Sequence, residues 1–260
     1  MTALSALSFP LRRALAGLSF LLAATAALGV PVDASAASAC SARSPAMAPT
    51  VVELYTSEGC SSCPPAERWL SRLKGRDDVV ALAFHVDYWD GLGWKDRFAQ
   101  PAFSQRQNAT RHTSGARFAY TPQVLLDGRD TPDWPSAPPA PSRARASAPV
   151  ALQLDRDASG LSLTITPGKD APATLSGYLA VVDDGLQTRV GAGENRGATL
   201  REDGIVRELL PWSAGAAGTS TLHFAPTAAA EAGAARHWVA VATDGPLGRP
   251  VQAVVLACGS

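Results

Sequence analysis

The sequence predicts an α/β domain followed by an all-β, sandwich-like domain within a chain of 260 residues. Two observations carry this expectation. Between Val51 and Gly128, apolar runs of strand length alternate with segments of helical spacing, the order that makes strand–helix–strand units with parallel strands. Beyond residue 150 only short β-like runs follow, separated by Gly, Asp and Pro. Thr131 to Pro149 holds six prolines and divides the two regions with the composition of a stiff, extended linker. The expected boundaries are a leader over 1–39, the α/β domain over 40–130, the linker over 131–149 and the β-domain over 150–260.

Taken in order, Val51-Val52-Glu53-Leu54-Tyr55 is β-rich and ends at Thr56-Ser57-Glu58-Gly59. A helix is expected from Pro64 to Leu73, because two prolines suit a first turn and Trp69, Leu70 and Leu73 share a helical face. Val79 to Val86 is apolar on both faces, as a strand covered on both sides must be. Phe98 to His112 is polar with Phe98, Ala102 and Phe103 at helical spacing, and Gln123 to Leu126 is a short third strand, expected parallel to the others and stopped by Asp127-Gly128. In the β-domain the runs are 150–154, 161–166, 175–182, 187–190, 205–210, 219–224, 237–243 and 251–257, enough for an antiparallel sandwich.

Arg12 and Arg13 precede an apolar run from Ala14 to Val30, after which Ala34-Ser35-Ala36 and Ala37-Ser38-Ala39 both fit a signal-cleavage site. The run is short for a span of about 20 residues. The mature protein is therefore expected to be periplasmic or secreted, without membrane association once the leader is removed. A 46% hydrophobic content and six tryptophans exclude a disordered chain. The 23 basic residues balance 23 acidic ones, leaving no basic surplus for nucleic acid.

Export changes how Cys40, Cys60, Cys63 and Cys258 are read, since an even count in an oxidising compartment suggests pairs. Cys60–Cys63 is the simplest pair. Cys40–Cys258 would tie the ends of the mature chain together, free terminal thiols being the alternative.

Cys60-Ser61-Ser62-Cys63-Pro64-Pro65 is the most specific signal, following a strand and opening a helix. At a helix N-terminus the macrodipole favours a thiolate. A thiol of pKa near 8.5 is only about 3% ionised at pH 7, and a lowering of ~2 units makes it about three-quarters ionised. Cys60, expected to be the exposed member, is the candidate attacking thiol, and Cys63 would resolve the mixed disulfide. Glu58 opposes the thiolate by like charge. A structural disulfide is the plain alternative; zinc would need four ligands, and no second C-x-x-C or paired histidines exist.

Together with Tyr120-Thr121-Pro122-Gln123, this arrangement resembles the thioredoxin superfamily. The stretches Glu53 to Pro65, Phe84-His85-Val86-Asp87-Tyr88-Trp89 and Leu92-Gly93-Trp94-Lys95-Asp96 resemble one subgroup of it, the secreted bacterial family known as domain of unknown function 1223. The resemblance covers about residues 50–128, with Gly193-Glu194-Asn195-Arg196-Gly197 similar more weakly. It implies a thioredoxin-like fold with a C-terminal β-domain, a redox site of Cys60, Cys63 and Pro122, and a cis bond before Pro122 that leaves backbone groups free for strand addition by a substrate. Such folds normally close with a further strand and helix after Gly128, where this chain has its proline-rich stretch.

His85 and Asp87 alternate onto one face at the end of the second strand and are candidate proton shuttles for Cys63. A hydrogen-bonded strand-end pair is the plain reading. Tyr88, Trp89 and Trp94 are expected to pack the loop under the site, with Trp89, Trp94 and Thr121 as the candidates for substrate contact. His112, His223 and His237 have no partner pattern, and Gly191-Ala192-Gly193 reads as a hairpin loop. The resulting expectation is a thiol–disulfide oxidoreductase that needs no cofactor and acts on protein thiols or disulfides with a redox partner protein. The alternatives are a Cu(I)-binding or copper-delivery module using Cys60, Cys63 and His85, and an interaction protein braced by a structural disulfide.

Overall fold

The computed structural model describes residues 39–136, 147–215 and 217–258. The first strands and helices are β1 (Cys40–Arg43), β2 (Thr50–Thr56), α1 (Pro64–Ser71), β3 (Val79–His85), α2 (Pro101–Ser114), β4 (Gln123–Leu126) and β5 (Arg129–Asp130). Only strands follow: β6 (Val150–Asp157), β7 (Gly160–Pro167), β8 (Thr174–Asp184), β9 (Leu186–Arg189), β10 (Thr199–Glu202), β11 (Ile205–Gly215), β12 (Ser220–Phe224), β13 (Ala235–Thr243) and β14 (Pro250–Leu256). The fold is mostly β. The expected leader lies outside the described residues apart from Ala39, as does 137–146 of the expected linker.

An eight-stranded mixed sheet, ordered β14-β13-β8-β11-β3-β2-β4-β5, organises the molecule. β2 is buried at every position because both its faces are covered. Val52 and Leu54 pack against Ala66, Trp69 and Leu70 of α1, while Val51 and Tyr55 share a cluster with Phe103 of α2. β3 runs parallel to β2 from Thr50↔Val79 to Thr56↔His85, with α1 between them in sequence. α1 starts on Pro64 and Pro65, whose fixed φ suits a first turn. α2 opens on Pro101 after an extended Gln100 and ends at Gly115, whose φ of 84° only glycine adopts without cost.

β4 pairs with β2 antiparallel, from Tyr55↔Gln123 to Val52↔Leu126, contrary to the parallel expectation. The reason lies in the loop after α2. Gln107, in the middle of the helix, donates its amide to the Tyr120 carbonyl and to the Gln123 side chain. The loop is thereby held back along α2, and the chain re-enters the sheet beside the end of β2 instead of its start.

Strands of the two sequence regions share this sheet, because Ile205 of β11 pairs in parallel with Ala83 of β3 and the Ala83 N–H donates to the Gly204 carbonyl at 2.7 Å. A second sheet, β1-β6-β7-β12, lies over the β-only half. Leu152, Leu154, Leu163 and Ile165 meet Leu179, Val181, Trp212 and Trp238 in the interlayer core. The register through Ala83, Ile205 and Asp183 puts α1 and this small sheet on the same face of the large one. After β5 no further helix follows among the described residues. Among them, too, no helix is long and apolar enough to cross a membrane.

Candidate functional site: a buried disulfide turn and the charged cluster behind it

Cys60 and Cys63 form a disulfide with Cα atoms 5.4 Å apart. Cys63 is the N-cap of α1, and Cys60 lies in the turn before it. Cys60 thus stands one turn outside the helix instead of at its first position. Pro64 and Pro65 carry no N–H, and the next two donors, on Ala66 and Glu67, both bond the Cys63 carbonyl. The Ser62 hydroxyl lies 3.4 Å from the Cys60 sulfur. Cys60 was expected to be the exposed thiol, but both cysteines are 0% exposed.

Behind the turn sits a group of ionisable side chains drawn from five elements. The ring Nδ1 of His85, at the end of β3, and Asp96 Oδ2 are 2.7 Å apart, both side chains wholly buried. Asp96 also accepts the N–H groups of Glu58 and Phe98. Glu67 of α1 accepts the Thr56 hydroxyl at 2.6 Å, and Glu58 accepts the Trp94 indole N–H at 2.7 Å. Glu202, brought in by β10, is 2% exposed. Burial alone would push His85 down, but the charge and hydrogen bond of Asp96, with Glu202 and Glu67, raise it to about 10. Burial likewise acts to raise Asp96, and the charge of His85 with its hydrogen bonds holds it below the usual carboxylate range. Burial first, then neighbouring carboxylate charge, raises Glu58, Glu67 and Glu202. The cluster is therefore one ion pair among glutamates inclined to hold protons. Four of its atoms, Glu58 Oε1, His85 Nε2 and both Glu202 carboxylate oxygens, are buried without a hydrogen-bond partner.

Aromatic side chains flank the turn. A Cβ on Gly59 would meet Trp89 Cβ at 3.2 Å, and the Trp89 indole donates to the Thr121 hydroxyl at 2.8 Å. This brings Thr121 and Pro122, joined by a cis peptide bond, to the edge of the turn. Trp94 lies beneath the β9–β10 hairpin, where Cβ atoms on Gly191 and Gly193 would meet it at 3.2 and 3.1 Å. The hairpin loop itself is bonded across the turn. Asn195 donates its side-chain amide to the carbonyls of Glu58 and Cys60, both at 2.9 Å, and Glu194 accepts the Ser61 N–H at 3.0 Å.

Trp89 and Trp94 thus lie against the Cys60–Cys63 turn, with Thr121 bonded to Trp89 and Pro122 next to it in the chain. His85 joins the buried cluster, whereas Asp87 goes elsewhere and binds Ser104 through its carboxylate and its N–H. With the two sulfurs bonded to each other and His85 Nδ1 engaged by Asp96, no group of three His, Cys, Asp or Glu among the described residues is placed to hold a metal ion, whereas the copper alternative concerns the reduced pair. Cys40 and Cys258 are joined, with Cα atoms 5.8 Å apart. Sequence reasoning missed Glu67, Glu202 and Asp96 as a partner of His85; it singled out the stretch Gly193 to Gly197 only for its family resemblance and gave Glu194 and Asn195 no role at the cysteine turn. Glu67 alone carried a local signal, since it lies four residues after Cys63 and three before Leu70 on the buried stripe of α1.

A family model described as a protein of unknown function (DUF1223) matches residues 51–242. No curated protein matches the chain. Among solved structures, a crystal structure of a protein from Agrobacterium tumefaciens is similar at 21% identity and TM-score 0.61, over 81% of this chain and 95% of that one. HBP35 of Porphyromonas gingivalis is similar at 13% identity and TM-score 0.56, over 82% of this chain and 76% of that one. These likenesses concern the fold alone. With most of its length, from the first covered strand through β13, matched by that one model, this chain belongs to the DUF1223 family.

Proposed function

We propose that the protein is a periplasmic or secreted thiol–disulfide oxidoreductase whose working couple is Cys60 and Cys63. The observation that carries this reading is the cluster of Glu58, Glu67, His85, Asp96 and Glu202 buried behind the disulfide, with four polar atoms left unpaired. Burying charges and unsatisfied oxygens costs stability, and a disulfide that serves only as a brace requires none of it. Exchange does require a proton store, because a thiol must lose its proton to attack and a displaced thiolate must gain one. The likeness to thioredoxin is further supported by the strand order β3-β2-β4-β5, by parallel β2 and β3 with β4 reversed, and by α1 and α2 on opposite faces.

In the exchange, a thiolate of a protein dithiol attacks Cys60 Sγ, forming a mixed disulfide and releasing Cys63 as a thiolate. Glu67, one helical turn beyond Cys63 and protonated more readily than an ordinary glutamate, supplies its proton and is reloaded from the His85 cluster. The second substrate thiolate then attacks its own sulfur in the mixed disulfide and frees Cys60. The substrate dithiol has lost two electrons and two protons to the Cys60–Cys63 pair, and the reverse sequence reduces a substrate disulfide. Thr121 and Pro122 offer the edge for an extended substrate chain, with Trp89 holding Thr121 in place. No cofactor takes part.

A second reading, a structural brace, draws on the complete burial of both cysteines. Cys63→Ala, exported with its leader and isolated without reductant, separates the two. The oxidoreductase reading expects partner proteins captured as mixed disulfides through Cys60. An empty trap with a Cys60 thiol that alkylates freely would overturn it, and the brace would show only lowered stability.

A further inference from the structure

We propose that the tip of the β9–β10 hairpin loop, residues 191–197, is a lid that closes the Cys60–Cys63 site and is latched by Asn195. The inference rests on the oxidoreductase reading for its purpose, though not for its test. Three contacts carry it. The Asn195 amide spends both of its N–H groups on backbone carbonyls of the cysteine turn, those of Glu58 and Cys60. The neighbouring Glu194 carboxylate takes the Ser61 N–H, one residue beyond Cys60. Gly193, with φ of 71°, lets the loop backbone rest on Trp94, which in turn donates to Glu58. A segment more than a hundred residues away in sequence is thus fastened to the turn at three of its backbone groups, and both cysteines are wholly buried.

The loop is built to move as a unit. Glu194 and Gly197 are exposed, Asn195 is half-buried, and the loop is closed on itself by the Val190 N–H to Ala198 carbonyl and Gly197 N–H to Val190 carbonyl bonds. Its stem is anchored separately, through buried Leu186, Val190 and Leu200 and through the four-residue pairing of β9 with β10. Breaking the three latch bonds therefore frees the tip without unpairing the stem. It also frees the Ser61 N–H, the donor of the residue that follows Cys60, to stabilise a thiolate once the disulfide is reduced. Opening would in this way both admit a substrate and favour the reactive form.

The test compares wild type with Asn195→Ala and Asn195→Asp in the full chain, using dithiothreitol as the probe and following each disulfide by alkylation and peptide mass. Losing two hydrogen bonds of ordinary net strength predicts that Cys60–Cys63 is reduced about tenfold faster or more in both variants. Reduction of Cys40–Cys258 should stay as in wild type and the thermal midpoint should fall by only a few degrees, as two lost native bonds require, which separates an opened lid from general unfolding. Equal Cys60–Cys63 reduction rates in wild type and both variants would overturn the lid, as would acceleration of both disulfides together. Faster reduction without turnover of any protein disulfide would leave the lid standing and remove the oxidoreductase reading; turnover without faster reduction would do the opposite.

Discussion

His85 and Asp96 meet at 2.7 Å with no water-accessible surface on either side chain, so their charges depend on each other. Because folding raises His85 from 6.5 to about 10, its contribution to stability is full below pH 6.5 and disappears as pH climbs through 10. Glu58, Glu67 and Glu202 are also raised, so their proton-linked contribution is present below the ordinary carboxylate range and fades as pH rises, in the same direction. Asp96 is lowered and acts oppositely, losing its contribution as pH falls below 3.8. Urea-denaturation free energies should therefore decline from about pH 6.5 to 10, and His85→Gln should flatten that decline; a wild-type profile flat across this range would contradict the ion pair. Asp96→Asn leaves a buried cation without its counter-charge and should cost about 3–5 kcal/mol near neutral pH, read from the same curves.

Among the elements, β8 carries the greatest packing load, since it pairs with both β11 and β13 and supplies residues to the cores on both faces. At Gly177 a Cβ would run into the Val241 carbonyl and the Trp212 ring. Gly177→Ala should therefore overpack the sheet and destabilise by about 1–3 kcal/mol, measured as a lowered denaturation midpoint with an unchanged slope. A substitution without effect would mean that Trp212 does not rest on that glycine. Elements of this kind were the most legible part of the sequence. Both helices and every run of the β-region appear within a few residues of their expected places, because their signals are local: period, proline at a first turn, glycine at an end. β1, β5 and β10 escaped notice, being four residues or fewer and without a run long enough to show a period. The direction of β4 was equally hidden, since it depends on a Gln107 contact that no neighbouring residue announces.

For the molecule as a whole, the Cys40–Cys258 bridge joins β1 to the chain beyond β14 across 218 positions. Replacing both cysteines by Ser should cost about 2–5 kcal/mol in global stability, read by denaturation, while leaving the chemistry at Cys60 unchanged. The site was legible to a similar, partial degree. Cys60 and Cys63 could be placed together from one strand–turn–helix order, whereas setting Thr121 and Pro122 near them followed only from the family resemblance. Glu202 could not be placed there, and Glu194 and Asn195 were noticed as a stretch without their place beside the turn, because they arrive on a hairpin whose position is set by packing against α1 and Trp94. The same hairpin is bonded to the backbone of the turn that holds Cys60, a contact that the sequence does not announce. The most direct measurement is turnover of a disulfide-bonded protein substrate by wild type, by Cys60→Ser and by the double variant Cys40→Ser, Cys258→Ser, with a thiol reductant supplied. A working couple predicts repeated turnover in the wild type and the double variant and its loss in Cys60→Ser. Turnover that survives Cys60→Ser, or is absent from a wild type shown to be reduced at Cys60 and Cys63, would contradict it.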